Sequence, residues 1–281
     1  MSSQLSSTIN SDQISAEAYR WIRDYIHQEA GIDIGLSRQM LVIARLRKRL
    51  ASCKLNSFDE YIHLLADPVN TFERQAAIDL LSTNETYFFR ESQHLDVLRE
   101  KVLKTHPRKQ PLRLWSAASS SGEEAYTIAM VLSEHYGYSF DWKIFGSDVS
   151  ERVVKQAQTG LYPLQRIDAI SEEYRKLYCL KGIGKYNGYF LIDNRLRDRC
   201  RFEVVNLVKP LPDLGQFEVI FFRNALIYFD DETKELIIRA LLAKLSAGGL
   251  LFIGHSESLK RMDLPLETIA PAAYRKLESE A

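Results

Sequence analysis

The chain has 281 residues, enough for one large domain or two modest ones. Its composition is 46% hydrophobic and 26% charged, with 13 glycines and 8 prolines, which excludes collagen-like and low-complexity disordered classes. Lys plus Arg and Asp plus Glu number 37 each, and this zero net charge argues against a dedicated nucleic-acid binder. No run reaches the roughly 18 apolar residues that a membrane span needs. The first twelve residues carry neither the charged nor the apolar region of a secretory signal, so no such signal is expected, and with no long apolar run direct membrane insertion is not expected either. Cys53, Cys179 and Cys200 are odd in number and form no CxxC, the usage of a cytoplasmic protein with reduced thiols. The 6 histidines are scattered, without HExxH or a Cys/His cluster, so no metal is expected.

In chain order, residues 1–83 read as a helical domain with a linker. Ala18, Ile22, Tyr25 and Ile26 form one stripe of an amphipathic helix. A second helix is expected after Gly35, with Leu36, Met40, Ile43 and Leu50 on one side and Arg38, Arg45 and Arg49 on the other. Shorter helices follow over Ser57–Ala66 and Thr71–Leu81. Beyond Pro111 strands and helices alternate, so residues 84–281 read as an α/β domain with a mainly parallel sheet. Strands are expected at Leu112–Ser116, Trp142–Ser147, Arg201–Val205, Phe217–Phe222 and Leu250–Gly254. One helix carries Ala125, Ile128, Ala129, Leu132 and Tyr136 on a single face, and another runs over Glu151–Gln158. A third, with Ile238, Leu241, Leu242 and Leu245, is expected to stop at Gly248-Gly249. Residues 162–200 interrupt the alternation and read as an inserted small antiparallel β-subdomain.

Ligands of an open parallel sheet bind outside the carboxyl ends of its strands. Four such ends carry polar residues: Ser116 to Glu124, Asp148, Asn206-Leu207 and Arg223-Asn224. The small residues 117–122 allow close backbone approach, but they form neither a P-loop nor GxGxxG. An acid ending the second strand suits a ribose diol. These features favour an adenosine-containing ligand without a pyrophosphate, which describes S-adenosylmethionine. Each element also has a plainer reading: tight packing for the small residues, and a helix cap near Ser150 for Asp148.

Asn84-Glu85-Thr86-Tyr87-Phe88-Phe89-Arg90-Glu91 resembles the signature of the CheR family of chemoreceptor glutamate O-methyltransferases. The same holds for Trp115-Ser116-Ala117-Ala118 with Ser121-Gly122-Glu123-Glu124, for Phe222-Arg223-Asn224 with Leu226-Ile227-Tyr228-Phe229, and for Gly254-His255-Ser256-Glu257-Ser258. Small departures are Ala125 in place of a common Pro, Phe222 in place of a common Cys, and Gly146-Ser147-Asp148 in place of a Thr-Asp pairing.

The resemblance implies a Rossmann-like methyltransferase sheet that binds S-adenosylmethionine and releases S-adenosylhomocysteine. The implied cofactor contacts are Asn84, Thr86, Arg90, Glu124, Asp148, Asn206, Leu207, Arg223 and Asn224, with Glu123 the alternative to Glu124. Arg90 and Tyr228 are the implied catalytic residues, Arg90 holding the cofactor's amino-acid end and Tyr228 orienting the acceptor. The implied partner is the cytoplasmic signalling domain of chemoreceptors, docked on Arg38, Arg45 and Arg49. Gly182, Gly184, Lys185, Gly188, Arg195 and Arg197 resemble the hairpin loop of members that bind a receptor's C-terminal pentapeptide, by strand addition at a basic edge. Two other readings stand beside this one: a methyltransferase for another carboxylate or small molecule, and a non-catalytic sensor of S-adenosylmethionine.

Overall fold

A computed structural model describes residues 13–278. The chain divides into two compact units: the described residues up to Thr83 with Tyr228–Asp230, and Asn84–Ile227 with the rest from Asp231 onward.

The first unit is helical: α1 (Ala16–Ala30), α2 (Gln39–Ser52), α3 (Phe58–Ala66) and α4 (Thr71–Leu81). Capping sets its boundaries. Ser15 Oγ accepts the Ala18 amide at 3.0 Å, and Gly31, at φ 71°, closes α1 through its N–H on the His27 carbonyl. The stripe Ala18, Ile22, Tyr25 and Ile26 is buried. In α2 the expected stripe is half wrong. The helix begins only at Gln39, Leu36 and Met40 are 80% and 74% exposed, and the buried face is Val42, Ile43, Leu46 and Leu50. Spacing fixes which residues share a direction, but the packing of α2 against its neighbours decides which direction turns inward.

The second unit opens with α5 (Gln93–Leu98), which continues into a π-helical turn over Arg99–Leu103 that the sequence pattern does not signal. Next come β1 (Leu112–Ala117), α6 (Glu123–Tyr136), β2 (Trp142–Asp148), α7 (Glu151–Thr159) and β3 (Leu161–Pro163). They are followed by α8 (Glu172–Tyr178), β4 (Cys179–Lys181), β5 (Tyr189–Ile192), α9 (Asn194–Arg197), β6 (Cys200–Val204) and β7 (Phe217–Phe222). The chain ends with α10 (Asp231–Lys244), β8 (Leu245–Ile253), β9 (Leu266–Ala270) and β10 (Ala273–Lys276).

The main sheet has seven strands in the order β6-β2-β1-β7-β8-β10-β9. Its first five strands are parallel, and β10 and β9 add an antiparallel edge. The strand order reverses at β1, which pairs with β2 on one side and β7 on the other, so the carboxyl ends of β1 and β7 meet at the switch point where open α/β sheets bind ligands. A separate antiparallel sheet, β3-β5-β4, makes up the insertion.

Gly248-Gly249 does not stop a helix. α10 ends at Lys244, Leu245 already belongs to β8, and the pairing with β7 shifts register between Phe217 and Val219. A Cβ on Gly249 would lie 2.9 Å from the Ser246 carbonyl oxygen and 3.0 Å from that of Glu218, so the glycine permits an irregular strand. Among the described residues, no helix is long and apolar enough to cross a membrane.

Candidate functional site

The carboxyl end of β1 is tied to β2 by the Trp115 indole N–H, which donates to Ser147 Oγ at 2.9 Å. The loop that follows passes through left-handed conformations at Ala118 (φ 60°) and Ser120 (φ 49°), a cost accepted where other contacts over-determine the backbone. Those contacts come from Asp148. Its Oδ2 accepts the Ser120 amide at 2.9 Å, and its Oδ1 accepts the Ser150 amide at 3.0 Å. Ser120 Oγ donates to the Asn84 carbonyl at 2.8 Å, bringing the segment that carries Asn84 and Thr86 to the same place. The bond to Ser150 closes a local turn rather than a helix cap, because Ser150 is itself the N-cap of α7 and that helix has no side-chain cap hydrogen bond. Gly122 answers to packing: a Cβ there would meet Ala157 Cβ at 2.8 Å.

Glu123 and Glu124 face different ways. Glu123 is fully buried and is held by Arg166 and by Ser121 Oγ, and the Arg166 guanidinium also reaches the Thr86 carbonyl at 3.3 Å. Glu124 accepts from Ser116 Oγ at 2.7 Å and lies 3.4 Å from Arg223 Nε. Burial raises both carboxyls above the ordinary range, against the pull of Ser121 and Arg166 on Glu123 and of Arg223 and Ser116 on Glu124.

Arg90 sits between two residues with left-handed backbone, Phe89 (φ 56°) and Glu91 (φ 51°). Phe89 is fixed by its amide on Thr127 Oγ1 at 3.1 Å and by its ring stacked on Tyr174. Glu91 accepts the Asn224 side-chain amide at 3.0 Å and the His255 amide at 3.3 Å. Burial raises the Glu91 carboxyl, but the Asn224 amide, Arg223 and the His255 amide outweigh it and leave it below the usual range. Arg90 donates to the Glu85 carbonyl at 3.1 Å, its own carbonyl receives Arg223 Nη2 at 2.5 Å, and Asn224 stands at φ 57°.

Two histidines expected to be scattered meet here. The rings of His94 and His255 are 4.4 Å apart, and their ligand atoms lie within 4.8 Å of each other and of a Glu91 oxygen. A cation at that point would share Glu91 with the Arg223 guanidinium, 3.6 Å away. Burial, and then Arg223 and His255, push the His94 imidazole down to about 4.

After β6, Asn206 Oδ1 accepts the Val208 amide at 3.1 Å and Leu207 is buried. Tyr228 groups with the helical unit, where its carbonyl accepts the Asp33 amide at 2.8 Å. In that unit only Arg38 of the three arginines is exposed. Arg45 donates to the Leu81 and Ser82 carbonyls at 2.7 and 3.0 Å, and Arg49 forks onto Glu73.

In the inserted sheet, Gly184 (φ 58°) and Gly188 (φ 88°) shape the β4–β5 loop, and Gly182 donates to the Tyr189 carbonyl at 2.9 Å. Lys185 is exposed, with its ammonium 5.1 Å from the Tyr186 ring centre. Arg195 is paired with Asp193, while Arg197 donates to the Thr159 carbonyl. Three supporting residues were not singled out from sequence: Glu91, Arg166 and Glu257. Glu91 and Glu257 lie inside recognised motifs, whereas Arg166 has no local signal.

A parallel sheet whose order reverses between β1 and β7, with polar residues at its strand ends, defines a class, the doubly wound α/β domains that bind ligands at such a switch point. The chain belongs to the CheR methyltransferase family. Residues 84–274 match its S-adenosylmethionine-binding domain and residues 17–82 its all-alpha domain. The chain is 36% identical over 251 residues to the chemotaxis protein methyltransferase of Salmonella typhimurium, covering 89% of this chain and 86% of that one. It is 36% identical over 262 residues to chemotaxis protein methyltransferase 2 of Pseudomonas aeruginosa, covering 92% of each. To the chemotaxis protein methyltransferase of Escherichia coli it is 35% identical over 252 residues, covering 89% and 87%.

Proposed function

We propose that this methyltransferase esterifies glutamate side chains of chemoreceptors in the cytoplasm, with S-adenosylmethionine as the methyl donor. The observation that carries the site is the charge arrangement at the ends of β1 and β7. Arg223 Nε is buried, has no hydrogen-bond partner among the described residues, and lies 3.4 Å from Glu124. A zwitterionic amino-acid end needs a cation for its carboxylate and an anion for its ammonium, and Arg90, Arg223 and Glu124 supply both signs. Asp148, Asn84, Thr86, Asn206, Leu207 and Asn224 complete the proposed cofactor contacts, and Glu124 is preferred to Glu123 because it is the one beside Arg223.

When bound, S-adenosylmethionine supplies an electrophilic methyl group on a sulfonium. A glutamate carboxylate has a reference pKa near 4.3 and is ionised at neutral pH, so no general base is required of the chain. The residues bind, orient and exclude water, and orientation alone is worth roughly 7–11 kcal/mol in favourable cases. Arg90 on the cofactor leaves the nucleophilic carboxylate unclamped and fully charged, while Tyr228 orients the acceptor.

The basic surface at α2, with Arg38 exposed at its N-cap and Arg45 and Arg49 half-buried on the helix, is proposed to meet acidic receptor helices. The loop holding Gly182, Gly184, Lys185 and Gly188, with Arg195 and Arg197, is proposed to bind a receptor's C-terminal pentapeptide. The edge position of β4 supports strand addition there. The deciding experiment is transfer of a radiolabelled methyl group to isolated receptor signalling domain. Base-labile label on glutamate is expected, and base-stable label or none overturns the proposal.

A further inference from the structure

The carboxylate of Glu257 lies in the loop after β8 and is not among the proposed cofactor contacts. Its Oε2 accepts the Gly254 amide at 2.6 Å and the Asn224 amide at 3.0 Å, and its Oε1 accepts the Leu226 amide at 2.8 Å. The Ile227 amide acts on the same group. One side chain thus gathers the backbone leaving β7 and ties it to the end of the neighbouring parallel strand β8. Burial raises this carboxyl, and the converging amides oppose the rise.

Gly254 carries an independent sign of the same arrangement. A Cβ at that position would stand 2.5 Å from Asn224 Nδ2, 2.9 Å from Asn224 N and 2.9 Å from Glu257 Oε2. Only glycine lets the two strand ends approach this closely. On its other side Asn224 is held by Glu91, so a residue at φ 57° is gripped through its backbone by one carboxylate and through its side chain by another. Backbone in this region costs of order 1–3 kcal/mol and persists only where its surroundings fix it. Arg223 immediately precedes it, and its guanidinium bonds to the Arg90 carbonyl.

We propose that Glu257 is a positioning residue for methyl transfer, setting the β7 turn so that Arg223 and Asn224 present the cofactor in register. The inference rests on the reading of Arg223 and Asn224 as cofactor contacts. Glu257→Gln turns an acceptor oxygen into a donor facing backbone N–H groups, and Gly254→Ala wedges the same contact from the opposite side. Glu257→Asp keeps the charge and loses reach.

The test compares these variants with Arg223→Ala and Asn224→Ala in the full chain, by calorimetric titration with S-adenosylhomocysteine and by steady-state methylation. Glu257→Gln and Gly254→Ala are expected to weaken binding at least tenfold and to raise KM for S-adenosylmethionine, with Glu257→Asp intermediate and KM for receptor unchanged. General destabilisation would lower only the active fraction, reducing apparent kcat at constant KM, and that result overturns the proposal. Should Glu257→Gln fail to fold, Glu257→Asp and Gly254→Ala decide the matter by the same readouts. Wild-type affinity in the Glu257 and Gly254 variants, with loss in Arg223→Ala and Asn224→Ala, refutes the positioning role and leaves the cofactor reading standing. Wild-type affinity in all of them removes both.

Discussion

Arg90 and Tyr228 are proposed for different tasks, and single substitutions separate them. A hydrogen bond to a charged group contributes about 1.5–3 kcal/mol, so Arg90→Ala should weaken S-adenosylhomocysteine binding at least tenfold by calorimetry. Tyr228→Phe should keep that affinity within about twofold and lower single-turnover rate by roughly tenfold or more, the scale of a lost orienting contact. The reverse pattern would reject the assignment. His94 allows a second measurement. Its imidazole is 1% exposed and pushed from 6.5 down to about 4. Between those values the unfolded chain binds a proton that the folded chain refuses, so stability falls as pH drops from about 6.5 to 4. Urea midpoints followed across this window should decline in the wild type, and part of that slope should be missing in His94→Gln. An identical slope in both would show that the imidazole is not held neutral.

Between elements, α2 and α4 are joined by a polar clamp of Arg49, Glu73 and Tyr61. Arg49 Nε reaches both Glu73 oxygens at 2.8 and 2.9 Å, and Tyr61 Oη donates to the same carboxylate at 2.7 Å. Burial raises the Glu73 carboxyl, but Arg49 and Tyr61 outweigh it and hold it below the usual range. Its contribution is therefore present above the unfolded pKa and lost as pH falls through the lower, folded value. Breaking such a pair costs 3–5 kcal/mol when fully buried, and Arg49 is partly exposed, so Arg49→Ala should destabilise by about 2–3 kcal/mol in denaturant titration. For the β4 edge, a peptide ending in an acidic-aromatic pentapeptide should bind the wild type more tightly than Lys185→Glu. Absence of binding to either would remove the tether. The clamp also marks a limit of what the sequence makes legible. The stripe of α1 and the core strands follow from periodicity, because Ala18 or Leu114 meets the core whatever the details of tertiary contact. The partners of Arg45 and Arg49 lie on α4 and just beyond it, so helical spacing alone makes them look like a free basic face. The β9–β10 edge is short and polar in places, so no alternating run marks it in the sequence.

Across the whole molecule, the proposed site draws on distant stretches of chain: residues 84–91, 116–124, 148–150, 206–207 and 223–224, with 255 and 257 proposed to support them. The motifs made these segments visible, but only the fold puts His94 beside His255 or Glu257 beneath Asn224, because neither contact has a local pattern. Ligand binding to such a site acts on all of these segments together, and a ligand at 100 times its Kd adds about 2.7 kcal/mol to the unit that holds it. The route of the chain has a further effect. Tyr228–Asp230 leaves the α/β unit to join the helical one, where Tyr228 receives the Asp33 amide and Asp230 meets His27. A protease nick between Thr83 and Asn84 would therefore not cut the polypeptide along the seam of its folding units. The downstream fragment would keep three residues native to the other body, leaving the two pieces with a noncovalent staple, and a gene truncated at that junction would yield a helical module missing its last rivet.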